Sequence, residues 1–424
     1  VSADEAVAGS KPSGLTPILV ATAVAGATGY AIQFLVPLSV TPEQYLRFSV
    51  FWAALYLVVS GLSGIQQEIS RATSPLRAAP RAGSANARRF SGVAVLLVLV
   101  CAPVSALLWG STVFPENTWP LVAALTLGSA GYVLVAVLSG LLYGLSEWKV
   151  IAFQTMLDAG IRLVLVAAGV ALGADVDALV WAVVLPFPLT AACVWLVVSR
   201  RVRGRYTVDV SVGRLGWNSA RTVVGATATG VLISGFPLLL NATSKDESQA
   251  AVGVLVLAIT LTRAPLVIPL LALQSFLTVY FRDRNAHAWR LVWLALAGTA
   301  GITAVASVLA FLLGPVLFLT LFGADYAIDA PAMAAVVASA GLTAALCVSG
   351  PAVLARGNHA IFVYGWVASA VVLIGVLLLP LDLVPRTVGA LVIGPLVGLA
   401  IHLLGLAFVV RSLPVADRGA QTPQ

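Results

Sequence analysis

The stretch Ser199–Arg221, SRRVRGRYTVDVSVGRLGWNSAR, decides how the chain is read. It carries Arg200, Arg201, Arg203, Arg205, Arg214 and Arg221 against one acid, Asp209. In isolation it looks like a nucleic-acid patch. Its flanks say otherwise, because six apolar spans precede it and six follow, each near the roughly 20 residues that a membrane-crossing helix needs. In that setting the run reads as a cytoplasmic joint between two membrane-embedded halves. Nucleic acid is not an expected partner.

Composition agrees. The 424 residues are 60% hydrophobic and 10% charged, with a mean hydropathy of +1.01. A soluble globular protein carries roughly 25% charged residues, so this chain requires a bilayer as solvent. A net charge of +7 then reflects basic loops held on the cytoplasmic side. Cys101, Cys193 and Cys347 fall in separate apolar spans and read as small packing residues, not as disulfides or metal ligands. Lys11 ahead of an apolar run resembles a signal peptide, but the run is long and many follow, so an uncleaved first helix is expected. The excess of arginine over lysine, with abundant alanine, fits a GC-rich bacterial source.

The predicted spans lie at Leu15–Leu38, Leu46–Gly64, Gly92–Val113, Trp119–Leu142, Val150–Leu172 and Leu179–Val198. The second six lie at Thr222–Leu240, Ala251–Val279, Leu291–Phe322, Pro331–Leu354, Ile361–Leu381 and Val388–Val410. The Leu291–Phe322 run is long enough to tilt, or to break at Gly314-Pro315. With the amino terminus inside, alternate loops collect Arg71, Arg77, Arg81, Arg88, Arg89, Lys149, Arg282, Arg284, Arg290 and Arg356. The opposite loops hold only Arg47, Lys245 and Arg386, and each has at least one acid. That is the positive-inside pattern, and it places both termini in the cytoplasm.

The halves echo each other. Ala27-Thr28-Gly29, Gln33 and Pro37-Leu38 in the first span recur as Ala228-Thr229-Gly230, Ser234 and Pro237-Leu238 in the seventh. Six spans per copy keep the orientation, so the copies are parallel repeats about an axis along the membrane normal. The expected fold is all-α: about twelve transmembrane helices in two six-helix lobes. The divisions are a tail at 1–14, a first lobe at 15–198, the basic connector at 199–221, a second lobe at 222–410 and a tail at 411–424. No soluble domain is visible.

Enzyme signals are thin. His287, His359 and His402 are scattered, and no nucleophile, zinc-ligand or phosphate-loop spacing occurs. Neither cofactor nor metal is expected. The informative residues are polar ones inside the spans. Gln154, Asp158 and Arg162 share one helical face, where the charges either neutralise each other structurally or line a cavity in which substrate recruits the arginine. Arg263 has no acid within a turn, so another helix, water or an anion must meet it. Its planar fork suits phosphate oxygens. Gln33, Ser234 and Asn241 sit on small-and-polar faces that suit either close helix packing or cavity lining. Gln67, Arg71 and Gln274, near inner helix ends, are candidates for a cytoplasmic gate or an interfacial anchor.

Taken together, these features resemble the polysaccharide-export flippases of the superfamily that also holds multidrug-and-toxin exporters and lipid II flippases. The residues that carry the likeness are Glu43-Gln44-Tyr45, Gly61-Leu62 through Arg71, Leu239-Leu240-Asn241, Arg263-Ala264-Pro265, Phe322-Gly323-Ala324-Asp325-Tyr326 and Gly357-Asn358. It runs from about Leu15 to Arg411. The resemblance implies a non-enzymatic transporter of the bacterial plasma membrane, which moves a polyprenyl-pyrophosphate-linked saccharide outward by alternating access. It implies membrane lipids and other envelope-polysaccharide synthesis proteins as partners, and a substrate role for Arg263. Asp158 and Arg162 have no family counterpart. The first span lacks the cation-binding acid of many multidrug exporters, and the span count falls short of lipid II flippases. Three rivals stay open: an ion-coupled exporter of small amphiphiles with Asp158 as its deep acid, an integral envelope-synthesis enzyme, and a scaffold.

Overall fold

The computed structural model describes residues 15–75, 84–202, 206–208, 210–283 and 288–412. The expected tails at 1–14 and 413–424 fall outside this set, as do Arg203, Arg205, Asp209 and His287. Two compact units divide at Leu238 and Leu239. Eleven helices among the described residues are long and apolar enough to cross a membrane.

The first unit begins with α1 (Leu15–Leu35), which ends in a 3-10 turn at Val36–Leu38 around Pro37. Helix α2 (Pro42–Ala72) is longer at both ends than its apolar run. Its start is set by a capping box: the Thr41 hydroxyl accepts from the Gln44 backbone, and the Gln44 side chain accepts from the Thr41 N–H. There follow α3 (Ser84–Val113), α4 (Thr118–Gly144), α5 (Trp148–Ala171), α6 (Val176–Val184) and α7 (Pro186–Val202). The sixth predicted span is thus two helices. Pro186 has no N–H to continue the ladder, so α6 stops before it.

The arginine-rich joint is mostly regular structure. Its start completes α7, and Tyr206–Val208 forms β2, which pairs antiparallel with β1 (Thr73–Pro75). Tyr206 and Val208 are buried, while Thr207 between them is half-buried, as the period-two alternation of a strand requires. The remainder, from Val212, is the first part of α8 (Val212–Ser234), and Leu215 is fully buried. These three apolar side chains join Ile65, Ile69 and Leu142 in one core. The Asn86 amide donates to the Val210 carbonyl at 3.2 Å, fastening the joint to the start of α3.

The seventh predicted span is also divided, between α8 and α9 (Phe236–Thr243), at Gly235 ahead of Pro237. The second unit continues with α10 (Gln249–Asp283), α11 (Ala288–Phe322), α12 (Ala330–Leu354), α13 (His359–Leu377) and α14 (Leu383–Ser412). Helix α11 runs unbroken through Gly314-Pro315, a position where the sequence allows a break. In the first unit α4 is central, packed against α2, α3 and α7. In the second unit α12 takes that place against α10, α11 and α14. The partners recur six spans later, which is the internal repeat expressed as packing. Of the cysteines expected to pack inside, only Cys347 is buried; Cys101 and Cys193 lie on exposed faces of α3 and α7.

Candidate functional site

In the first unit, α5 places Asp158 and Arg162 one turn apart and the two form a bidentate pair. Arg162 Nη1 lies 2.8 Å from Asp158 Oδ2, and Nη2 donates to Oδ1 at 3.1 Å. The third contact comes from the proline break. The last carbonyls of α6 lack intrahelical partners, and Arg162 Nε donates to that of Val183 at 3.3 Å. A cation is favourable at a helix C-terminus. The guanidinium also lies over the Phe187 ring at 4.7 Å and the Tyr56 ring at 5.8 Å. Arg162 is therefore held on every side.

Beside the pair is a cavity of about 290 Å³, lined by Asp158, Arg162, Gln154, Tyr56, Tyr132 and Thr28, among others. Gln154 donates to Ser139 Oγ at 2.8 Å, while its buried Oε1 has no partner. The three residues predicted to share a helical face do share this cavity. A site holding a paired carboxylate, an open amide oxygen and tyrosines suits a small hydrogen-bond donor or a cation, and the pair leaves it without net charge.

Gln33 is placed elsewhere, buried and accepting from Tyr45 Oη at 3.2 Å. Ser234 ends α8, and Asn241 lies in α9; both are half-buried. At the arginine-bearing end of α2, Gln67 is exposed, and Arg71 forms two bonds of 2.7 and 2.8 Å to Glu68. Glu68 is buried and also accepts from Asn218 of α8 at 2.8 Å. The Thr222 hydroxyl bonds to the Gly64 carbonyl at 2.8 Å. Glu68 and Gly64 thus clasp α8 to α2 through Asn218 and Thr222, a link between distant residues that no local spacing announces. Gln274 is half-buried in α10.

In the second unit, Arg263 projects from α10 toward α12, where Nη2 reaches Thr343 Oγ1 at 3.4 Å. No carboxylate among the described residues forms an ion pair with it. His402 is fully buried: Nε2 lies 3.1 Å from the Phe362 carbonyl and Nδ1 lies 2.9 Å from Ser349 Oγ. A carbonyl only accepts, so Nε2 carries a proton. Sequence reading passed over Tyr56, Phe187 and Thr343, which carry no charge, and left His402 as a scattered histidine. Only the pairing of each with a buried polar group marks it. Among the described residues no three of His, Cys, Asp and Glu group to hold a metal ion.

Comparison with known proteins supplies the context. No family model matches the chain. The inward-facing structure of a multidrug resistance MATE family transporter of the MOP superfamily matches with a TM-score of 0.67 at 14% identity, covering 93% of this chain and 95% of that one. The outward-facing structure gives 0.61 at 15% identity, covering 93% and 94%. A MOP superfamily transporter from Pyrococcus furiosus, whose description reports reversed binding-pocket polarity, gives 0.53 at 14% identity over 94% and 95%. The chain therefore has the helical membrane fold of that superfamily. Among curated sequences, the uncharacterized protein Rv3630 of Mycobacterium tuberculosis is 34% identical over 397 residues, 91% of this chain and 90% of the relative. Rv1510 of the same organism is 33% identical over 394 residues, with the same coverage. With a third of residues identical over nine-tenths of each chain, this protein belongs to the family of the mycobacterial proteins Rv3630 and Rv1510.

Proposed function

We propose that this chain is a bacterial membrane transporter that moves amphiphiles by alternating access. Support comes from the MOP-superfamily fold over nine-tenths of the chain. The descriptions of the matching structures weigh toward export of small amphiphiles, one of the rivals left open by the sequence. Within that activity, one observation bears on the charge of the substrate: Asp158 is neutralised by Arg162, whereas Arg263 contacts the Thr343 hydroxyl and pairs with no carboxylate of the described residues. The balance of charge inside the spans is positive, which favours an anionic head group. A guanidinium with free donors suits carboxylate or phosphate oxygens.

A second reading follows from that same arginine. A polyprenyl-pyrophosphate-linked saccharide is an amphiphile with an anionic head, and its passage to the outer leaflet is what the sequence resemblance implies. Arg263 would meet the pyrophosphate, with Asn241, Ser234 and Gln33 as candidates for polar contacts and Gln67, Arg71 and Gln274 for the inner gate. Both termini would be cytoplasmic.

Proteoliposomes test the readings side by side. Leaflet exchange of a labelled polyprenyl-pyrophosphate sugar, export of a small anionic amphiphile and export of a cationic dye are followed with wild type and Arg263→Ala. Transport of an anionic substrate should fall tenfold or more in the variant, about what loss of a charged hydrogen bond removes. Exchange of the sugar lipid selects the second reading. Transport of the cationic dye alone, unchanged by Arg263→Ala, overturns the anionic assignment.

A further inference from the structure

A second cavity, of about 320 Å³, lies in the first unit, and neither the charge pair nor Arg263 touches it. Its walls are almost wholly apolar: Leu134 and Leu138 from α4, Ala192 and Trp195 from α7. Arg88, in the second turn of α3, and Tyr206 of β2 close the end nearest the arginine-rich joint. The stretch from Leu134 to Leu141 that lines it covers seven residue steps of α4, about 10 Å of helix at 1.5 Å each. The cavity is open, and the outer faces of α3 and α7 around it carry exposed Val93, Leu96, Leu196 and Val197. It is a cleft on a surface made for lipid tails.

A cleft in a bilayer gains nothing from apolar walls alone, since lipid tails are as apolar as leucine. Selectivity has to come from its mouth. There Arg88 is exposed and forms no ion pair with a carboxylate of the described residues. Arg89 and Arg200 are exposed nearby in sequence on the same two helices, and none of the described lining residues is acidic. The positive-inside rule assigns this end to the cytoplasmic leaflet, whose anionic lipids attract such arginines.

We propose that this cleft is a binding site for one anionic phospholipid of the cytoplasmic leaflet, with an acyl chain between α3, α4 and α7 and the phosphate on Arg88. The lipid would cover the seam where β2 and the joint meet the helical core, and so would brace the segment that links the two halves of the sequence.

Native mass spectrometry of the purified, delipidated full chain tests the site, with phosphatidylglycerol and phosphatidylcholine as probes. Wild type should retain the first more tightly, and Arg88→Gln should reduce that preference about fivefold, the effect of one basic residue near an anionic surface. Ala192→Trp, at an exposed position on the wall, should displace both lipids while the melting temperature in detergent stays unchanged. Equal retention of the two lipids by wild type overturns the proposal, and so does wild-type binding by both variants. A dimer that Ala192→Trp dissolves would identify a second copy of the chain as the occupant, and would also overturn it.

Discussion

The two units treat an arginine within a membrane span in opposite ways. Arg162 in the first unit is closed in by a carboxylate, a helix-end carbonyl and two aromatic rings. Arg263 in the second unit has one long contact to a threonine hydroxyl. The repeat relates the frameworks, α4 with α12 at their centres, but it does not relate the charges. A guanidinium paired with a carboxylate and a helix-end carbonyl belongs to the architecture, whereas one without a counter-ion is available to a ligand. On the proposed function, the first charge serves stability and the second serves substrate.

The most direct way to break the contrast is to strip Arg162 of its acid. Asp158→Ala leaves a buried cation without its counter-ion and should destabilise the protein by about 3–5 kcal/mol, the usual cost of removing one member of a buried pair. Adding Arg162→Leu should restore much of that loss, because well-packed apolar residues replace buried pairs at little cost. Thermal or denaturant unfolding in detergent measures both. If Asp158→Ala melts like wild type, the pair is not structural, and Asp158 becomes available as the coupling acid of the ion-driven rival.

A smaller loss is expected where α8 lies against α2. A methyl group on Gly64 would stand about 2.5 Å from the backbone of Thr222 and Val223, a contact that no rotamer change relieves. Gly64→Ala should therefore cost about 1–3 kcal/mol through overpacking. Gly298 of α11 has open space around its Cβ position. Gly298→Ala should be neutral or slightly stabilising, because alanine is the better helix former. Unfolding of the two variants side by side tests whether the close backbone approach of α2 to α8 sets the difference.

The twelve apolar runs and the repeat were legible because burial in a bilayer writes itself as length and hydropathy. Helix breaks inside an apolar run were not. Pro186 and Gly235 interrupt segments that look continuous, while Pro315 lies inside an unbroken helix. In the joint, six arginines mask the alternation Tyr206-Thr207-Val208, which marks a strand. The Asp158–Arg162 pair could be read from spacing because both ends lie on one helix. The Tyr56 and Phe187 rings against Arg162, and the Glu68–Asn218 clasp, join residues far apart in sequence and leave no periodic trace.

Arg263 gives a small expected shift in stability and the sharpest in meaning. A cation held without an acid costs free energy, and only a ligand or a structural role can justify its place. If it serves a ligand, Arg263→Met should keep the packing of the long side chain, remove the cost of the charge and stabilise the protein by about 1 kcal/mol. Transport should fall at the same time, the usual exchange of stability for function at a binding residue. Unfolding and proteoliposome transport on the same preparation read both quantities. A variant that loses stability would show that the Thr343 contact supports the second unit. The two arginines would then differ in degree only, and the anionic substrate would lose its main support.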